Sequence, residues 1–148
     1  MSSIYEPLLD SGLHECTVQE LRERCVEDFG NDGQGNPEDR REIMDRFEEF
    51  ISKLRAFNTQ FEVWVDGSFV TEKPQPNDVD IVIFGDLNTI SDSEAQRFEN
   101  LCNYAEQRYL TEAYFCPIGD QNLRSYWRGW YLFDRTESPK GAFKIEVS

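Results

Sequence analysis

One stretch, Asp78-Val79-Asp80-Ile81-Val82-Ile83-Phe84, constrains this chain more than any other. Its β-branched run predicts a well-buried strand, and two acids placed two residues apart at its start project to the same side of it. A strand of this kind is stable only inside a sheet with other elements covering its faces. The same stretch holds the longest apolar run, a handful of residues, whereas a bilayer span needs ~20. A membrane helix is therefore excluded. The 148 residues, 39% hydrophobic and 14% aromatic, suit one folded domain over 1–148 and are too few for two. The opening MSSIYEPLLD carries acids where a secretory signal needs a basic and then an apolar segment, so the expected location is cytoplasmic.

The neighbours of that strand follow from periodicity. Residues 61–65 alternate as a second strand, and residues 67–77 contain Pro74 and Pro76 and form a loop, so the two strands make a hairpin-like pair. Upstream, Thr17 with Glu20 forms a capping box, followed by Val18, Leu21, Cys25 and Phe29 at helical spacing as far as Gly30. Residues 30–36 are a loop. Asn36 and Pro37 then open a helix with Ile43, Phe47, Phe50, Ile51 and Leu54 on one face. Downstream, Ser91 to Glu94 begins a third helix with Phe98, Leu101, Cys102, Ala105 and Tyr109 inward. Residues 111–116 form a strand ended by Pro117, residues 121–132 a helix with Trp127 and Trp130 expected in the core, and residues 141–147 a last strand. The order α-α-β-β-α-β-α-β predicts an α+β (mixed α/β) fold, a sheet of about four strands packed with helices.

Charge restricts the partners. With 15 basic and 29 acidic residues the net charge is −14, and residues 1–60 and 61–148 each carry −7, so the excess belongs to the whole surface. Double-stranded nucleic acid is a poor partner for such a field. Solubility, a basic protein partner and mimicry of nucleic acid all remain compatible with it. Cys16, Cys25, Cys102 and Cys116 form no CxxC pair, and His14 is the sole histidine. A zinc site lacks ligands, and the thiols read as reduced core residues.

The chemistry lies between the hairpin strands. Asp78 and Asp80, about 6–7 Å apart at their Cα atoms, can hold a divalent metal, while Val79, Ile81 and Ile83 face the core and fix the register. Gly67 allows a phosphate close to the backbone and Ser68 adds a hydroxyl donor beside exposed amides.

This Gly-Ser at the end of one strand with Asp-x-Asp on the next resembles the signature of the DNA polymerase β-type nucleotidyltransferases. The chain looks closest to the minimal nucleotidyltransferases and to small relatives with a Gly-Ser-Phe-Val-Thr loop, matched here by residues 67–71. The resemblance implies that Gly67 and Ser68 contact the β- and γ-phosphates and that Asp78 and Asp80 bind Mg²⁺. It also implies a third carboxylate from a later strand. Glu112 is favoured for that place, with Glu146 on the last strand as its competitor, and either is a glutamate where an aspartate is usual.

The activity implied is Mg²⁺-dependent transfer of NMP from an NTP, expected to be ATP, to a hydroxyl, with Asp78, Asp80 and Glu112 as metal ligands and catalytic groups. Lys73, Arg124, Arg128 and Lys140 are the basic residues available to a triphosphate. Lys73 lies in the loop between the motifs and Arg128 sits between two tryptophans, so these two are the expected nucleotide contacts. In the minimal family the acceptor is often a partner protein, as in toxin–antitoxin pairs, and an acidic surface suits a basic partner. The alternatives are a decayed interaction or nucleotide-sensing module, and an acidic nucleic-acid mimic.

Overall fold

The computed structural model describes residues 11–27, 37–71, 76–132 and 140–148. Helix α1 (Val18–Arg22) starts where the capping box predicts. The Glu20 amide donates to the Thr17 hydroxyl at 3.1 Å, and the Thr17 amide donates to the Glu20 carboxylate at 3.0 Å. A π-helical turn, Glu23–Glu27, continues it and buries Cys25 and Val26. Phe29 and the expected loop at 30–36 lie outside the described residues. Helix α2 (Pro37–Arg55) opens at the proline and buries its apolar stripe from Ile43 to Leu54.

Five strands rather than about four make the sheet: β1 (Gly12–Glu15), β2 (Phe61–Asp66), β3 (Val79–Gly85), β4 (Thr111–Pro117) and β5 (Gly141–Val147). Their order is β1-β5-β2-β3-β4. The additional strand, β1, pairs parallel to β5 and has no apolar alternation of its own. Strands β2 and β3 form the expected antiparallel pair, and β4 lies parallel to β3. The whole is a mixed α/β domain.

Helices cover both faces. Val63, Val65, Val79, Ile81, Ile83, Phe143 and Ile145 pack with Leu21, Phe47, Phe50, Ile51 and Phe98 in the larger core. On the other face Trp64, Val82, Phe84, Cys116 and Ala142 pack under α5 (Gln121–Leu132) through Leu123, Trp127 and Tyr131. The expected third helix is two: α3 (Asp92–Asn103), capped by Ser91, breaks at Tyr104, where ψ is 7°, and α4 (Ala105–Tyr109) ends at Leu110 in the left-handed region, φ 50°. The break redirects α4 so that its residues reach the start of β4. Trp130, which the sequence suggests for the core, is 60% exposed, because the flank of α5 that meets the sheet is the one carrying Leu123, Arg124, Trp127 and Tyr131.

The four cysteines are free, and among the described residues no helix is long and apolar enough to cross a membrane.

Candidate functional site

Register assembles the site. The β2–β3 ladder sets Asp66 opposite Asp80, and the β3–β4 ladder sets Asp80 opposite Glu112. Three carboxylates therefore stand in one row, on one face, across three adjacent strands about 4.8 Å apart. Like charges placed opposite each other destabilise a sheet. Two more carboxylates join the row. Asp78 precedes β3, Glu106 comes down from α4, and with Glu112 they bring ligand oxygens within 4.8 Å of one another. Asp66 and Glu106 are the additions the fold makes to the predicted set: the hairpin register alone pointed to Asp66, and Glu106 carries no signature in the sequence.

The local electrostatics show the cost of this crowding. Asp80 is pushed up to about 8, first by burial and then by the charges of Asp78 and Glu112, and its carboxyl is close enough to Glu112 to share a proton. Burial and a hydrogen bond with Asp78 push Glu106 up to about 7. Asp66 rises to about 6 through burial, opposed by the Lys140 ammonium, which donates to its Oδ2 at 2.5 Å. Lys140 is thus committed to Asp66. Oδ1 of Asp80 is buried without a hydrogen-bond partner among the described residues, and so is the hydroxyl of the buried Tyr131, whose phenol is pushed up by burial and by Asp80 and Asp66. The Tyr114 hydroxyl donates to Glu112, which pushes the phenol up to about 12.

The glycine loop lies against the same row. Gly67 has φ +88°, and a Cβ there would stand 2.6 Å from Oδ2 of Asp80. Its amide donates to Asp66. The loop then turns through a 3₁₀ segment, Ser68–Val70, that is anchored from below by Arg40. This fully buried guanidinium donates to the carbonyls of Cys25 at 3.0 Å, Phe69 at 2.7 Å and Thr71 at 2.6 Å. Burial lowers Arg40 to about 10, so it stays charged at neutral pH.

The remaining predicted residues divide. Lys73 and the Ser68 side chain lie outside the described residues. Arg124 donates to Glu62 at 2.9 Å and lies over the rings of Trp64 and Phe84, where it serves the sheet face. Arg128 is exposed and makes no ion pair among the described residues. Glu146 pairs in register with Glu62, four residues or about 13 Å along β2 from Asp66. It is 66% exposed and meets Lys144. The fold brings Asp78, Asp80 and Glu112 together and leaves Glu146 apart.

The donor set is all carboxylate oxygen, the chemistry of a hard cation such as Mg²⁺, Mn²⁺ or Ca²⁺. Crowded acids, one unpartnered buried carboxylate oxygen and, among the described residues, one lysine on the row fit a divalent ion: Asp78, Glu106 and Glu112 bring their oxygens together, and Asp80 stands beside them in register with Glu112. A separate groove of about 870 Å³, lined by Asp86, Leu87, Phe115 and Ile118 among others, opens at the opposite end of the strands, near Gly85 and Pro117, away from this chemistry.

Fold and site together define a mixed α/β protein with an acidic cluster at one end of its sheet. A model of one family, described as "Family of unknown function (DUF6932)", matches residues 4–146, and the chain belongs to that family. No curated protein matches the chain, and no solved structure does.

Proposed function

We propose that the protein is an Mg²⁺-dependent nucleotidyltransferase that moves NMP from an NTP, expected to be ATP, to a hydroxyl on a partner protein. The observation that carries this reading is the juxtaposition of Gly67, packed on Asp80, with the Asp78, Asp80 and Glu112 carboxylates. It is the arrangement that the resemblance to the DNA polymerase β-type nucleotidyltransferases implies.

Asp78, Asp80 and Glu112 would hold the metal, which when bound supplies positive charge to the triphosphate and lowers the proton affinity of the attacking hydroxyl. The backbone of the Gly67–Val70 turn, stiffened by Arg40, is the surface for the outer phosphates. Glu112 takes the acceptor proton as a bond forms between the acceptor oxygen and the α-phosphorus. The bond from the α-phosphorus to the bridging oxygen breaks, and pyrophosphate leaves with the electron pair.

The test is incubation with Mg²⁺ and α-labelled NTPs, alone and with lysate from the protein's own source, followed by separation by size. Label on a protein band with wild type and not with Asp80→Asn supports the reading. Label on RNA or on a small molecule contradicts the acceptor class. Label nowhere favours a second reading, an interaction or nucleotide-sensing module, for which the glutamate in the third acidic position speaks.

A further inference from the structure

Not all the aromatic residues of α5 serve the core. Trp127 lies against the sheet, but Tyr126 is 53% and Trp130 60% exposed. Tyr114, on the edge strand β4, is 39% exposed. The rings are continuous: Trp130 to Tyr126 is 6.3 Å between centroids, Tyr126 to Trp127 5.1 Å and Trp127 to Tyr114 4.9 Å. At the far end the Tyr114 hydroxyl donates to Glu112. An aromatic strip thus runs over the surface into the carboxylate cluster. Exposed aromatic patches of this kind mark interaction sites, and Tyr and Trp dominate their energetics.

We infer that this strip is the docking surface for a cationic segment of a partner protein, with Arg or Lys side chains stacked on Tyr126 and Trp130. Charge complementarity selects that occupant. The chain carries −14, and the strip ends on carboxylates, which repel a phosphate backbone and attract a guanidinium. Among the described residues, the cations of α5 itself stay clear of the exposed rings. Arg124 is held by Glu62, and Arg128 lies about 160° around α5 from both Tyr126 and Trp130.

Position then gives the segment its role. Gly67 flanks Asp80 from β2 and Glu112 flanks it from β4, so a nucleotide seated on the glycine loop leaves the β4 side open for the acceptor. That role rests on the nucleotidyltransferase reading, whereas capture of the segment does not.

The test is calorimetry with a short peptide alternating Arg and Ser, the same peptide with Gln in place of Arg, and an oligo-dT strand. The Arg peptide binds wild type, and the Gln peptide does not. Tyr126→Ala with Trp130→Ala, which changes no charge and touches only exposed rings, weakens the Arg peptide about tenfold. Trp130→Lys weakens it further. Unchanged peptide binding by the double variant overturns the inference, as does oligo-dT binding tighter than the peptide and lost in that variant. Binding of Mg²⁺ with ATP, measured on the same samples, separates the two readings. Strip-dependent peptide capture without nucleotide binding upholds the docking surface and overturns the nucleotidyltransferase reading. Nucleotide binding without such capture does the reverse.

Discussion

Gly67 and Asp80 compete for the same space: a Cβ on Gly67 would stand 2.6 Å from Oδ2 and 2.9 Å from Cγ of Asp80, and the glycine φ is +88°. Only a residue without a side chain lets the loop close over the carboxylate. Gly67→Ala therefore lowers stability by about 1–2 kcal/mol through the left-handed backbone alone and displaces Asp80 as well. Urea denaturation reads the first effect and loss of Mg²⁺-dependent ATP binding the second. Gly129→Ala, inside α5 with no atom within 4 Å of the added Cβ, is the control and raises stability by up to about 1 kcal/mol.

The acidic row makes the metal-free protein sensitive to pH, and the sign is fixed. Asp80, Glu106 and Asp66 hold protons in the folded state up to about 8, 7 and 6, above their ordinary 3.8 to 4.5. The native state thus binds more protons than the unfolded chain between about pH 4 and pH 8, and stability falls as pH rises through that window. Melting temperature in chelator decreases from pH 5 to pH 8. Asp80→Asn, which removes one of the repelling charges, melts higher than wild type at pH 8 in chelator. Mg²⁺ raises the melting temperature of wild type at pH 8, has little effect at pH 5, where protons compete with it, and leaves Asp80→Asn unmoved.

Arg40 holds the glycine loop from inside the protein. Replacing it with Leu strands the carbonyls of Cys25, Phe69 and Thr71, and costs on the order of 3 kcal/mol, since unsatisfied buried polar groups are expensive. Arg40→Lys keeps the charge but not the three-way fork, so it recovers part of that stability and less of the nucleotide affinity. Urea denaturation and ATP calorimetry measure the two losses.

What the sequence made legible is what periodicity and local chemistry encode. The capping box at Thr17, the N-cap at Ser91, the apolar stripe of α2 and the β2–β3 pair follow from residues close together in the chain. Strand β1 does not, because Gly-Leu-His-Glu has no strand pattern and becomes a strand only by pairing with β5, over a hundred residues later. Asp66 had a signal in the register, since a hairpin that buries Val65 against Ile81 must set Asp66 opposite Asp80. Glu106 had none: it looks like any solvated helical acid, and reaches Asp78 only because the helix breaks at Tyr104. Trp130 misled because hydrophobicity marks a residue for burial without saying which flank of a helix the sheet will meet.

The last prediction separates the three glutamates. Glu112 stands in register with Asp80, Glu106 approaches Asp78 from α4, and Glu146 lies with Lys144 at the far end of β5. If Asp78, Asp80 and Glu112 hold the cation, Glu112→Gln abolishes the Mg²⁺-induced rise in melting temperature at pH 8 and any label transfer from α-labelled NTP. Glu106→Gln keeps the core ligands and loses one flanking charge, so the Mg²⁺ concentration giving half the rise increases, while the rise at saturation stays near that of wild type. Glu146→Gln changes neither, because its carboxylate is solvated and remote from the row. A Mg²⁺ titration of all three variants, followed by scanning calorimetry, checks the order. Equal Mg²⁺ dependence in Glu112→Gln and Glu146→Gln contradicts the assignment of the site, whereas an unmoved Glu106→Gln removes only the contribution of α4.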